Sequence, residues 1–327
     1  MQVATLRDTP EARRVRALHR RGAWMVWTGS AAWGVSGTVA QHLFATGTVT
    51  PGWLVTVRML GAGAVLLAWS AAAREDVWAP LRTWRDAARL LAFAIAGLYS
   101  VQVTYLEAIA AAGAPVATIL QSLGVVWLTA FVAFRARRLP DRGRLAAMAL
   151  ALLGTGLMVT GGHPGHPAVG PAGLVWGLLS GLALAFYTAY PRDLMRRAGG
   201  SPVTGWAMLF GGAVGAIADP PWAVSTAHMT AGNLALVAFV CLVGTALAFR
   251  LYLGSLAHLA PQDTALLSTA EPVSAATASH VWLGTPLPLG TVVGGLAILS
   301  GVVSLGRAPV PGAAPGPERD AARSGTT

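Results

Sequence analysis

Residues 115–134 read PVATILQSLGVVWLTAFVAF, and residues 135–144, which follow, read RARRLPDRGR. The first stretch is apolar and uncharged throughout, and its length is what about 30 Å of hydrocarbon requires of a helix. The second places Arg135, Arg137, Arg138, Arg142 and Arg144 in one short turn. An apolar rod stopped by a basic turn is the pattern of a membrane-spanning helix whose arginine end lies in the cytoplasm. A barrel strand is about half as long and alternates apolar with polar residues, which this stretch does not.

The rest of the chain repeats the pattern. Of 327 residues, 54% are hydrophobic and 11% charged, whereas a soluble domain carries about 25% charged residues. That balance excludes an ordinary cytosolic globule and intrinsic disorder, and the single cysteine, Cys241, excludes an internal disulfide scaffold. The formal charge of +10 comes from a chain whose 23 basic residues are all arginine. They sit in clusters between apolar runs, which is not the distribution of a nucleic-acid binder.

Ten such runs are read, at 23–44, 53–73, 88–109, 115–134, 143–162, 170–190, 203–218, 233–254, 262–282 and 288–306. Alternate turns test that count. Those near 45–52, 110–114, 161–169, 219–232 and 283–287 contain no arginine, and ten crossings put every arginine but Arg58 on one side. The positive-inside rule makes that side cytoplasmic and places both termini there, in the cytoplasmic membrane. The first run keeps Trp24, Trp27 and Trp33 and is too long for a cleavable signal, while the proline-rich tail after Arg307 is expected to be disordered.

A shift of 147 residues aligns Tyr105-Leu106 with Tyr252-Leu253, Gly143 with Gly290 and Gly154 with Gly301. Each half then holds five spans, and two serial copies of an odd-span unit insert in opposite orientations. The expected fold is all-α and integral to the membrane: ten transmembrane helices as two inverted five-helix repeats. Its parts are a cytoplasmic basic tail (1–22), a first repeat (23–162), an external linker (163–169), a second repeat (170–306) and a cytoplasmic tail (307–327).

These residues resemble a known family. Tyr105 through Pro115, the basic turn 135–144 and Gly143…Gly154 look like the end of an EamA-type repeat. Tyr252…Ala260-Pro261…Ala270-Glu271-Pro272-Val273, then Leu283-Gly284 and Gly290…Gly301, are similar to its second copy, and Trp33-Gly34 and Arg58 also fit. The resemblance covers roughly 23–306 and implies the drug/metabolite transporter superfamily: small-solute carriers, often exporters, with a cavity between the halves. Two departures stand out. Gln121-Ser122-Leu123-Gly124-Val125 lies where the family often has proline, and Thr285 follows Leu283-Gly284 where the family commonly has glutamate.

Charges inside spans are the first candidates for chemistry, because each costs several kcal/mol, on the order of 3, unless paired or wetted. Arg58 lies about 7.5 Å below the external end of its span at 1.5 Å per residue. It is read either as an anchor for a solute carboxylate or phosphate, or as half of a structural ion pair with Glu107, or as snorkelling to the outer interface. Glu271, near the middle of span nine, shares a face with Thr264 and Ser268. It is read as a proton-exchanging or cation-binding acid, or as a partner for backbone left unbonded near Pro272. Polar stripes on spans one, three, four and six suggest a hydrated cavity, with Trp33, Gln121 and Tyr187 expected in its wall; interhelical hydrogen bonding is the plainer alternative. Trp24, Trp53, Trp78, Trp84 and Trp222 are read as interface anchors, and Cys241 as a small core residue.

His163 and His166 lack further ligands nearby, so no metal is expected. No phosphate-binding loop appears, so neither nucleotide hydrolysis nor any cofactor is expected. The leading function is a secondary carrier moving a small metabolite, amino-acid-like or another small organic solute, by alternating access, with export implied by the resemblance. Its partners would be the solute and the lipid bilayer, with a homodimer as an allowed assembly. The alternatives are an intramembrane enzyme acting on a lipid headgroup, which lacks a clustered acid, base and nucleophile here, and a membrane scaffold or sensor, which lacks a long loop.

Overall fold

The computed structural model describes residues 10–162, 168–224, 229–256, 258–259, 264 and 267–307, and the described residues contain helices and turns without strands. The loop 163–167, with His163 and His166, and the carboxyl-terminal tail lie outside them. In the first half the helices are α1 (Pro10–Ala45), α2 (Pro51–Ala72), α3 (Trp84–Ala112), α4 (Ala114–Ala136) and α5 (Arg142–Thr160). In the second they are α6 (Pro171–Ala189), α7 (Gly200–Ala218), α8 (Ala231–Ser255), α9 (Ala270–Leu283) and α10 (Leu289–Arg307). A short helix, Arg192–Ala198, joins α6 to α7.

Seven of these helices, α2 to α8, are long and apolar enough to cross a membrane. The other three expected spans, α1, α9 and α10, are helical as well. In α1 the buried face carries Ser30, Ser36 and Thr38. α9 is preceded by a turn at Ser268–Thr269, which interrupts its run. α10 is apolar and 19 residues long. α1 begins at Pro10, so the basic residues before the first expected span enter it as continuous helix.

The termini of the rods follow from local chemistry. The side chains of Thr50, Asp141 and Thr230 accept from the backbone N–H three residues on and so start α2, α5 and α8. Gly113, at φ +82°, turns the chain from α3 into α4 within one residue, a backbone angle that a side chain would oppose.

The 147-residue offset reappears in the elements. α3 begins at Trp84 and α8 at Ala231; α5 covers 142–160 and α10 covers 289–307. α3 contains a π-helical stretch at Phe93–Tyr99, and α8 contains one at Leu242–Leu247. α4 breaks at Leu123, whose counterpart is Ala270, the first residue of α9 after its own break. Contacts exchange in the same way. Gly34 of α1 lies against the Glu271 carbonyl at the α9 break, and Gly181 of α6 lies against the Leu120 carbonyl and Gly124 amide at the α4 break. Gly154 of α5 faces Gly294 of α10, while Gly301 of α10 faces Ala147 of α5.

Hydrogen bonds tie the turns together at each end of the bundle. At one end Asn233 Nδ2 donates to Thr48 Oγ1 (3.2 Å), Trp53 Nε1 to the Pro221 carbonyl (2.9 Å) and the Ala114 amide to Gln41 Oε1 (2.9 Å). At the other, Arg250 pairs with Glu75 (3.2 Å), Arg197 with Asp86 (2.9 Å), and Trp206 Nε1 donates to the Val77 carbonyl (2.7 Å). Trp24, Trp78, Trp84 and Trp222 are exposed, as interface anchors would be. Trp53 is not one of them: its donation to Pro221 buries it to 8% exposure beneath the 219–224 turn.

A Cβ at Gly154 would sit 2.7 Å from the Gly294 carbonyl oxygen, whereas one at Gly156 meets nothing within 4 Å. Gly154→Ala is therefore expected to lower stability by about 1–3 kcal/mol. Gly156→Ala on the same helix is expected to leave it unchanged, as measured by thermal unfolding of the purified protein.

Candidate functional site

The π-helical stretch of α3 re-phases the residues that follow it, and Gln102 and Tyr105, three apart, then share one face. That face meets α2 at Arg58. Arg58 is 5% exposed, and its guanidinium donates through Nη2 to Gln102 Oε1 at 2.5 Å, while its Nε has no hydrogen-bond partner. Cys241, Tyr105 and Glu271 lie within its electrostatic reach. Tyr105 Oη sits beside the Glu271 carboxyl and over Gly37, buried and without a hydrogen bond of normal geometry. The two intramembrane charges thus converge from α2 and α9 on one tyrosine of α3.

The expected Arg58–Glu107 ion pair does not form. Glu107 follows Gln102 by five residues, about 140° around the helix at 3.6 residues per turn, so it faces away from α2. It is half-buried with Asp219 as its charged neighbour. Glu271 does not serve a broken backbone in the interior of a helix either. Pro272 lies in the first turn of α9, where a missing N–H costs little.

The other expected wall residues divide. The Trp33 ring meets Phe249 at 5.0 Å and Tyr252 at 5.2 Å between ring centres. Tyr252 in turn lies close to Ser268 and Glu271. Tyr187 stacks on Phe93 at 5.6 Å and neighbours Tyr252. Trp33, Arg58, Tyr187 and Glu271 therefore belong to one connected cluster. Gln121 belongs to another contact: its Nε2 donates to Ser180 Oγ (2.8 Å) and links α4 to α6. Polar groups on α1 are spent similarly, with Thr38 bonded to Ser279 (3.0 Å) and the Ala275 carbonyl (3.3 Å) of α9.

Gln102, Tyr105, Phe249 and Tyr252 are the cluster members that sequence reading did not place in the site. The signal was available. Gln102 and Tyr105 lie 147 residues before Phe249 and Tyr252, so both halves send the same two positions inward. Arg58 and Glu271 break that equivalence, because their counterparts at the same offset are Gly205 and Gly124.

Beyond the cluster, toward the end of the bundle whose turns lack arginine, opens a cavity of about 720 Å³ whose wall includes Gln41, Thr48, Trp53, Ile109 and Asp219. Arg58 lies seven residues down α2 from Pro51 on its rim, about 10 Å at 1.5 Å per residue. Tyr105 lies one helical turn below Ile109. Among the described residues no three His, Cys, Asp or Glu side chains gather as a metal-binding group.

A bundle of apolar helices with buried opposite charges beneath an open cavity fits a multi-pass membrane protein with a path for small solutes. Comparison with known proteins agrees. The EamA-like transporter family matches twice, over residues 20–160 and 171–307. A Salmonella typhimurium protein named "Uncharacterized inner membrane transporter YicL" is 35% identical over 286 residues, covering 87% of this chain and 94% of that protein. A solved crystal structure superposes with a TM-score of 0.60 at 19% identity, covering 86% of this chain and 95% of its own, and supports the fold. The chain belongs to the EamA-like transporter family.

Replacing the acceptor of Arg58 without adding charge tests the geometry. Gln102→Leu is expected to cost about 1.5–3 kcal/mol, the scale of a hydrogen bond to a charged group. Gln102→Glu, which keeps an acceptor, is expected to keep stability at or above that of the parent in the same unfolding measurement.

Proposed function

We propose that this transporter is a secondary carrier that moves a small organic solute bearing an anionic group across the cytoplasmic membrane by alternating access, in the export direction. One observation carries the reading. A buried guanidinium with a single neutral acceptor and an unused N–H is an incomplete ion site, and a solute carboxylate or phosphate would complete it. Glu271 and Tyr105 would meet the solute's polar or cationic part, and Trp33, Phe249 and Tyr252 its apolar part. Tyr187 would back that wall, while Gln121 would act at a distance through the α4–α6 contact.

The proposal includes ten crossings arranged as inverted repeats, 23–162 and 170–306. It is supported by the two family matches, by helix breaks and π-helical stretches that recur at one offset, and by contacts that exchange between halves. With an odd number of spans in each half, exchange of this kind needs an axis in the membrane plane. Arginine-bearing turns would face the cytoplasm, with both termini, so the 720 Å³ cavity would open outward. Export remains the direction that the family resemblance implies.

Solute counterflow in reconstituted vesicles, screened over small carboxylates and zwitterions, tests this. Arg58→Gln is expected to weaken the apparent affinity roughly ten- to hundredfold, the equivalent of about 1.5–3 kcal/mol. Arg58→Lys is expected to fall between it and the parent. Unchanged affinity for an anionic solute in Arg58→Gln would contradict the assignment.

A further inference from the structure

The 720 Å³ cavity has a counterpart under the 147-residue offset. Thr50, Pro51, Trp53 and Ala223, in its wall, correspond to Arg197, Ala198, Gly200 and Asp76. Those four residues line a second and smaller cleft of about 360 Å³ at the arginine-bearing end, together with Glu75 and Arg82. One mouth stands open and its counterpart is half that size.

Ion pairs between the two halves border the smaller cleft, through Glu75 and Arg197 of its wall. Arg250 of α8 pairs with Glu75 beyond α2 (3.2 Å), donates to Ser201 Oγ at the start of α7 (3.0 Å) and lies over the Trp69 ring at 5.5 Å. Arg197 pairs with Asp86 at the start of α3 (2.9 Å). Just inside, Ser70 of α2 and Thr204 of α7 are fully buried hydroxyls without hydrogen-bond partners. Buried polar groups are paired as a rule, and these two lie where water would reach them if the cleft parted.

We infer that the cleft between residues 75–86 and 197–202 is the second mouth of the solute path, held shut in this structure by the Arg250–Glu75 and Arg197–Asp86 pairs. The inference rests on the carrier reading and extends it to the place where the cytoplasmic side opens. Inverted repeats reach their second state when each half adopts the arrangement of the other. The larger cavity then closes as its counterpart widens. Parting the pairs would leave Arg197 and Arg250, with Glu75 and Asp86, around the widened mouth beside the Arg82–Asp76 pair, a polar lining that water and a charged solute can enter. Partly exposed pairs suit a latch, because water can reach each partner once the pair parts.

The test needs no solute. Cys241→Ala provides a background without thiols, into which Thr204→Cys reports on the cleft and Val49→Cys on the larger cavity. Both are read by the rate of reaction with a bulky charged maleimide in lipid nanodiscs, where both faces meet the reagent. Combining Glu75→Gln with Asp86→Asn is expected to raise the rate at position 204 at least tenfold and to lower it at position 49. The charge exchange Glu75→Arg with Arg250→Glu is expected to keep both rates near those of the intact pairs and shows that the altered chain folds. An unchanged rate at 204, or a rate at 49 that does not fall, overturns the latch. Either of those results leaves the Arg58 assignment standing, since that depends on solute affinity alone.

Discussion

Hydrocarbon offers an unbonded backbone group no partner, so every break in a buried helix has to be covered by another helix. This constraint organises the bundle. α4 breaks at Leu123 and α9 begins after a turn at Ser268–Thr269. Each break is met by a glycine of the opposite first span, Gly181 of α6 or Gly34 of α1. A side chain at either position would hold the rods apart and leave amides and carbonyls exposed to lipid. The hydroxyls of Ser274 and Thr38 add bonds across the second crossing, to the Ala31 and Ala275 carbonyls. On α1, Gly34 covers the break, while Gln41 accepts from the Ala114 amide at the start of α4.

On this near-symmetric frame the charges are asymmetric. Arg58 and Glu271 each stand where the other half has glycine, and both reach Tyr105. A pair within electrostatic range but outside ion-pair distance stabilises both charges only partly, and a ligand with complementary groups can then compete for them. Gln102 satisfies one guanidinium nitrogen while remaining neutral, which leaves Arg58 its net charge. The same frame places the open cavity and the smaller cleft at corresponding positions in the two halves.

Much of the architecture was legible in the sequence, because membrane insertion is governed by long-range statistics of apolar length and arginine placement. The family resemblance, the basic turns and the offset of 147 residues all reappear in the structure. The site was legible only in part. Arg58 and Glu271 stood out as charges inside apolar runs, but the partner of Arg58 depends on helix phase. The π-helical stretch at Phe93–Tyr99, which sets that phase, has no marker in FAIAGLY. Glu107 was a reasonable partner by depth and the wrong one by rotation. Trp53 looked like an interface anchor because nothing local announces that the 219–224 turn folds over it.

The central claim is that the two halves are oppositely inserted copies of one unit. Thr46 and Asp193, both exposed and 147 residues apart, are equivalent positions in the two halves. Single cysteines at these sites in a Cys241→Ala chain, probed in intact cells with an impermeant thiol reagent, report their sides directly. The account predicts that position 46 reacts from outside and position 193 only after the membrane is opened. Reaction of both from the same side would contradict it.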